Sequence, residues 1–418
     1  MVSSTMSMLF RFSLYGFLKN LRFFEAFLLL FMREKGLSFT QIGVMFAFRE
    51  ICVNLFNIPT GALADLYGRK KSLILGLGAY VISFIIFSYA DTLVSLYLAM
   101  FLFGIGESFR SGTHKAMIFD YLRMNNMTSE KTRIYGITRS WSQRGSALSV
   151  LIGALIVYLG AGYQHIFIYS IFPYLLGMLN ILFYPGYLDK KKETGANVLE
   201  IFNHLLKTAK KCWNSIGLRQ LIFQSTIYEG SFRSVKDYLQ VLIQTMALTL
   251  PLLGTVMPTQ KIAIYTALIY FVLYLASSYA SKSSHLFVKL MGHDELKSIY
   301  AIMFLTTIFF GLSALGFILE MSYFSILFLV LIFNLQNIMR PIMTARYDDL
   351  SHSEEQATVL SIESQANSVG IFLIAPILGY LADHQNLAGV FLFCGMILGL
   401  YLLYVKMECL FRISKLSN

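Results

Sequence analysis

The sequence predicts an all-α membrane protein, with twelve transmembrane helices in two pseudo-symmetric six-helix bundles, and three observations carry that expectation. The 418 residues are 56% hydrophobic and 14% charged, with a mean hydropathy of +0.62, whereas soluble domains are roughly 45–50% apolar and 25% charged. The apolar residues fall into runs near the ~20 residues that a helix needs to cross a bilayer. The cations gather in the short loops between alternate runs, as the positive-inside rule requires. That placement accounts for the net charge of +11 without nucleic acid, because Lys and Arg do not line one soluble face.

Taken in order, the first run covers residues 9–32. Lys19, Arg22 and Glu25 interrupt what would be the apolar core of a secretion signal, so the segment reads as a retained span. Further spans are expected at 39–61, 72–90, 93–116, 134–160 and 164–188. Asp189 to Arg219 is the longest polar stretch, and its lysines with an amphipathic run predict a linker lying on the membrane surface. A second set of spans follows at 216–246, 260–281, 298–319, 322–345, 357–382 and 386–406. The expected organisation is therefore an N-terminal bundle at 1–188, a linker at 189–218 and a C-terminal bundle at 219–418.

Loop charges orient the spans. Arg69, Lys70, Lys71, Arg123, Lys131, Arg133, Lys190, Lys191, Lys192, Lys282 and Lys289 fall on one side. Loops near Asp91, Gly162, Glu320 and Asp383 carry almost no cations, with Arg33-Glu34-Lys35 the exception. Both termini are expected in the cytoplasm, and a bacterial inner membrane is the expected host.

Between the second and third spans stand Gly61, Leu63, Asp65, Gly68, Arg69 and Lys70. The glycines allow close helix approach and a turn with positive φ, and Asp65 is placed to cap a helix or pair with a cation. This stretch resembles motif A of the major facilitator superfamily, Gly-x-Leu-x-Asp-x-x-Gly-Arg-Lys, and every fixed position is present. The resemblance implies a twelve-span secondary transporter, monomeric by default, working by rocker-switch alternating access among membrane lipids. Its cavity would lie among spans 1, 2, 4, 5, 7, 8, 10 and 11. The motif would act as a cytoplasmic clasp in which Arg69 reaches Asp120. The fifth span, with Gly145 and Gly153 but no proline, departs from the antiporter motif C. A weak internal repeat places Gly145 opposite Gly370.

The ionisable residues inside spans mark the candidate site. Each charge costs roughly 2.5–3.5 kcal/mol at a helix centre, on the order of 40 kcal/mol in sum, so they must pair, snorkel or face a wet cavity. Spacing of three or four residues puts Arg22 with Glu25, Glu107 with Arg110, and Glu229 with Arg233 on common helix faces. Arg144 has no acid within a turn, and Arg49 points about 100° away from Glu50, which makes both candidates for contacting a ligand. Cations outnumber anions in this set, favouring a small anionic or zwitterionic solute held by guanidinium forks. Arg139 and Arg340 read as gate or interface residues. Asn337, Gln336, Asn334, Asn367 and Tyr228 are candidate hydrogen-bonding neighbours.

No phosphate-binding Gly-x-x-x-x-Gly-Lys-Ser/Thr loop is present, so coupling to an ion gradient is expected, with Glu25, Glu107 or Glu229 carrying the proton. The expected partners are thus a small-molecule substrate, a coupling proton and lipid. Four cysteines without metal-ligand spacing predict neither metal nor cofactor. An enzyme is not expected, since no nucleophile elbow or His cluster occurs. The rival readings are proton-coupled efflux of hydrophobic drugs and a non-transporting membrane sensor or scaffold.

Overall fold

The computed structural model describes residues 2–110, 113–127, 131–160, 162–189, 207–249, 257–350 and 356–416. All regular structure among them is helical: α1 Val2–Lys19, α2 Leu28–Glu34, α3 Phe39–Tyr67, α4 Arg69–Tyr89, α5 Leu93–Arg110, α6 Thr113–Met124, α7 Lys131–Tyr158 and α8 Gly162–Leu182. Then follow α9 Ile216–Val235, α10 Tyr238–Thr249, α11 Pro258–Lys282, α12 Ser284–Leu290, α13 Glu295–Ile318, α14 Ser322–Leu350, α15 Gln356–His384 and α16 Asn386–Leu416. Residues 207–214 are also helical, and of the surface linker expected at 189–218, residues 190–206 lie outside the described residues.

Nine helices among the described residues are long and apolar enough to cross a membrane. The remaining three expected spans are the first, fifth and seventh, and each misses for a physical reason. The fifth, in α7, carries Arg139 and Arg144. The first and seventh are broken. The expectation of one continuous helix over 9–32 is corrected here: α1 ends at Lys19, a single 3₁₀ turn follows at Glu25–Phe27, and α2 begins at Leu28. The seventh breaks at Lys236 and Asp237, between α9 and α10.

The chain divides into two compact units. Unit 1 comprises residues 1–35, 48–206 and 251–275, and unit 2 comprises 36–47, 207–250 and 276–418. Their internal packing follows one plan. In unit 1, α4 packs on α5 and α8 while α1 packs on α7; in unit 2, α13 packs on α14 and α16 while α9 packs on α15. The core of unit 1 is an aromatic layer, with Phe24 stacked on Phe167 at 4.7 Å and Phe87 on the same ring at 4.9 Å.

The glycines matched by the weak repeat make equivalent contacts. A Cβ on Gly145 would collide with the Phe17 carbonyl of α1, and one on Gly370 would come within 2.8 Å of the Thr226 carbonyl of α9. In both units a small residue thus lets the backbone of the broken helix approach its neighbour, where dispersion and weak polar contacts hold membrane helices together. Gly370→Leu is expected to destabilise unit 2 by about 1–3 kcal/mol through overpacking, measured as a lower melting temperature in detergent.

Candidate functional site

Charged side chains collect beside both broken helices. In unit 1, the break frees polar backbone groups that a membrane interior cannot hydrate, so they need protein partners. Tyr174 Oη donates to the Lys19 carbonyl at 3.1 Å, and Phe23 N–H donates to Ser170 Oγ at 3.2 Å. Arg22 sits in the break itself. Its Nε donates to Tyr174 Oη at 2.8 Å, and its Nη2 donates to Tyr80 Oη at 3.0 Å and Glu107 Oε2 at 3.1 Å. Glu107 also accepts from the Tyr80 hydroxyl and from Arg110 Nη2. One carboxylate therefore joins two guanidinium groups and a phenol.

Arg22 was expected to pair with Glu25 along one helix. The helix is interrupted between them, and the ion pair shown for Arg22 is with Glu107 on α5, while Glu25 lies near enough for its charge to act on Arg22. Glu107 with Arg110, three residues apart, pair as their spacing predicts. Arg49 needs a second correction. Its long side chain folds back so that Nη2 meets Glu50 Oε1 at 3.0 Å, and it does not point away. Arg144 is exposed and has no described partner; its neighbour Gly145 faces α1, so the guanidinium projects off another face of α7.

In unit 2, Glu229 is 4% exposed. It accepts from Gln336 Nε2 at 2.6 Å, Arg340 Nη1 at 3.0 Å and Arg233 Nε at 3.0 Å. Arg340, which the sequence placed at a gate or interface, thus joins this cluster. Gln336 and Arg340 are one turn apart on α14, the spacing that should have grouped them. Glu363 differs in kind. It accepts only from neutral donors, Ser225 Oγ at 2.6 Å and Asn367 Nδ2 at 2.8 Å, and no described cation pairs with it. Asn337 turns back on its own helix, donating to the Phe333 carbonyl at 2.9 Å.

The motif between α3 and α4 is a set of helix-end anchors. Gly68 precedes α4 with φ +106°, a left-handed conformation that L side chains avoid. Asp189 Oδ1 accepts from the Lys70 backbone N–H at 2.8 Å, and any side chain at position 68 would strike that carboxylate. The negative group at the start of α4 matches the helix dipole. Lys70 Nζ reaches the other way, donating to the carbonyls of Leu182 at 2.6 Å and Tyr184 at 3.1 Å beyond the end of α8. Arg69 pairs with Asp120 of α6. The surroundings of Gly61 and the side chain of Asp65 lie outside what is described.

A second anchor was not anticipated. Within unit 2, Asp383 near the end of α15 accepts from the backbone N–H groups of Phe39 at 2.8 Å and Thr40 at 2.7 Å, and from Thr40 Oγ1 at 2.7 Å. It caps α3 from outside, and at Gly379 a Cβ would collide with the Phe39 carbonyl. Asp383→Ala is expected to cost about 1–2 kcal/mol, the size of a lost helix cap, seen as earlier thermal unfolding.

The profile of the Major Facilitator Superfamily matches residues 2–373. The chain belongs to this superfamily. It is a multi-pass membrane protein of this family. The chain is 34% identical over 116 residues to a probable vesicular acetylcholine transporter-A of Danio rerio, covering 28% of this chain and 22% of that protein. It is 28% identical over 160 residues to an uncharacterised transporter, YxaM, of Bacillus subtilis, covering 37% and 36%. A hexuronate transporter of the same organism is 29% identical over 120 residues, covering 29% and 28%. The matched stretches are thus a third or less of most of these relatives' length. Among solved structures, the nucleoside transporter NupG superposes with a TM-score of 0.74 at 12% identity over 96% of this chain and 98% of that one. A peptide transporter in complex with sulfate gives 0.70 at 14% identity over 96% and 94%. At such identities the likeness is one of fold.

Proposed function

We propose that the transporter moves a small anionic or zwitterionic solute, coupled to protons, by rocker-switch alternating access of two six-helix bundles at 1–188 and 219–418. The observation that carries the anionic part is the excess of basic over acidic groups at the break of unit 1, where Arg22 and Arg110 share the carboxylate of Glu107 and Lys19 lies within reach of both arginines' charge. A relative named for hexuronate, a sugar acid, supports it. Interrupted helices in corresponding positions of the two units mark binding regions in transporters of this kind. The motif at Gly61, Asp65, Gly68, Arg69 and Lys70, with Asp120, serves as the gate on the cytoplasmic side, where both termini also lie. A monomer in a bacterial inner membrane completes the reading.

The proton carrier in this account is Glu363, in place of Glu25, Glu107 or Glu229. Glu107 and Glu229 each already hold two guanidinium groups, so their charge is balanced without a proton. Glu363 has Ser225 and Asn367 as donors, with the Tyr347 hydroxyl nearby and no described cation paired with it, so it is an acid inside a span whose charge no described side chain balances.

A second reading, exchange of an organic cation, is favoured by the similarity to acetylcholine transporters. Uptake by proteoliposomes under an imposed pH gradient separates the two. Labelled glucuronate is expected to accumulate, and labelled choline or a hydrophobic cationic dye is not. Accumulation of choline alone would replace this reading with the second one.

A further inference from the structure

We propose that Tyr15, Lys19 and Arg110 form an oxyanion-binding subsite inside unit 1, one that takes the carboxylate or phosphate end of the transported solute. The inference rests on the anionic reading above and goes beyond it by fixing which groups hold the charge. Tyr15 and Lys19 lie four residues apart on α1, on one face. The Lys19 ammonium stands 5.8 Å from the centroid of the Tyr15 ring. That ring is also held by His114 of α6, stacked at 4.0 Å with an interplanar angle of 29°. His114 Nε2 is in turn 3.1 Å from Tyr184 Oη. Tyr15 is therefore clamped in place, and its hydroxyl is close enough to Arg110 and Arg22 to feel their charge.

Two donors in this cluster are left without partners. Tyr15 is 1% exposed, and its hydroxyl makes no hydrogen bond; Arg110 Nε is likewise buried and unpaired, its Nη2 being held by Glu107. Buried polar groups are nearly always satisfied, and an orphan calls for a reason. Packing alone gives none, because phenylalanine at position 15 would bury the same ring without a hydroxyl to desolvate. Lys19 has no described acidic partner and lies within the fields of Arg22, Arg110 and Arg139. Three basic groups at the break, Lys19, Arg22 and Arg110, stand with two acidic ones, Glu107 and Glu25, and both printed ion pairs go to Glu107. An oxyanion answers all of this together. It accepts from the tyrosine hydroxyl, from Arg110 Nε and from the lysine ammonium, and its negative charge relieves the mutual repulsion.

The account also explains why the cluster is built on a broken helix. The break lets Arg22 leave the face of Tyr15 and Lys19 and engage Tyr174, Tyr80 and Glu107, so that the carboxylate of Glu107 is occupied and the ammonium of Lys19 is available. The Arg22 group positions; the Tyr15, Lys19 and Arg110 groups bind.

The test uses the full-length protein purified in detergent, with lactate, benzoate and inorganic phosphate as probes, methyl lactate and methyl benzoate as neutral controls, and thermal shift and calorimetry as readouts. The parent is expected to be stabilised by at least one anion and by neither ester; whether a carboxylate or phosphate does so identifies the oxyanion. Tyr15→Phe is expected to weaken that binding about tenfold, the loss of one charge-assisted hydrogen bond, while raising the melting temperature of the ligand-free protein. A purely structural tyrosine would show the reverse pattern. Lys19→Gln weakens binding by more than Tyr15→Phe, and Lys19→Arg restores part of it. Binding by Tyr15→Phe and Lys19→Gln within about twofold of the parent would overturn the subsite, as would a parent that none of the three anions stabilises. In either case, anion accumulation by proteoliposomes would leave the transport reading intact, so the two ideas fail separately.

Discussion

Glu229→Ala is expected to abolish transport and to lower the stability of unit 2 by about 3 kcal/mol, toward the lower end of what breaking a buried ion pair costs. The lower end applies because the Arg340 and Arg233 side chains keep 44% and 35% of their exposure, so water recovers part of the loss. Three donors lose their acceptor at once: Gln336, Arg340 and Arg233. Glu229 itself is almost wholly buried, and α9 meets α14 through it. Glu229→Gln keeps the size and one acceptor oxygen but removes the charge, leaving two guanidinium groups with a neutral amide. It is expected to retain the fold, with a smaller fall in melting temperature, and still to lose transport. Equal activity of Glu229→Gln and the parent would show that the cluster needs shape and not charge.

The second large effect is expected at Arg22. Arg22→Ala removes the donor that holds Tyr174, Tyr80 and Glu107 together, and it leaves Glu107 paired with Arg110 alone. Arg22→Lys is expected to fare nearly as badly. An ammonium is a single point of charge, whereas the planar guanidinium uses Nε toward one tyrosine and Nη2 toward the other tyrosine and the carboxylate. Both variants are therefore predicted to bind substrate weakly, with transport reduced at least about a hundredfold, equivalent to roughly 2.7 kcal/mol. Near-parental transport by Arg22→Lys would mean that only the positive charge matters at the break.

What the sequence made legible was whatever depends on neighbours along the chain. The motif between α3 and α4 is local, and its Arg69 was expected to reach Asp120, as it does. Pairs at helical spacing, Glu107 with Arg110 and Glu229 with Arg233, were equally legible. The helix breaks were not. No proline or glycine lies between Phe17 and Leu28 or between Arg233 and Tyr238, so nothing local announces an interruption. The first break is stabilised from α8, by Tyr174 and Ser170, more than a hundred residues away. The same distance hid the role of Tyr80 and Tyr174, since tyrosines are common in membrane spans. Arg49 was misjudged because helical geometry fixes the direction of Cβ and not the reach of a guanidinium three carbons further out. Asp189 looked like the first residue of a linker, yet it caps α4, a role that only the approach of the two segments creates.

These clusters also explain how so many charges are tolerated. Arg22, Arg49, Arg110, Arg233 and Arg340 all meet carboxylates, and those contacts are shared, with one acid serving two bases in each unit. Among the described residues, Arg144 and Lys19 have no acidic partner, and Glu363 is an acid within a span supplied with neutral donors. A carrier needs groups whose charge is settled by its cargo, and Glu363 fits that need for the proton.

The most direct measurement of that claim compares the parent with Glu363→Gln in proteoliposomes, following both exchange of labelled glucuronate at equal pH and its accumulation driven by a pH gradient. The account predicts that the variant keeps exchange, because substrate still binds and the protein still alternates, but loses accumulation, because no proton is carried. Accumulation by Glu363→Gln equal to that of the parent would contradict it.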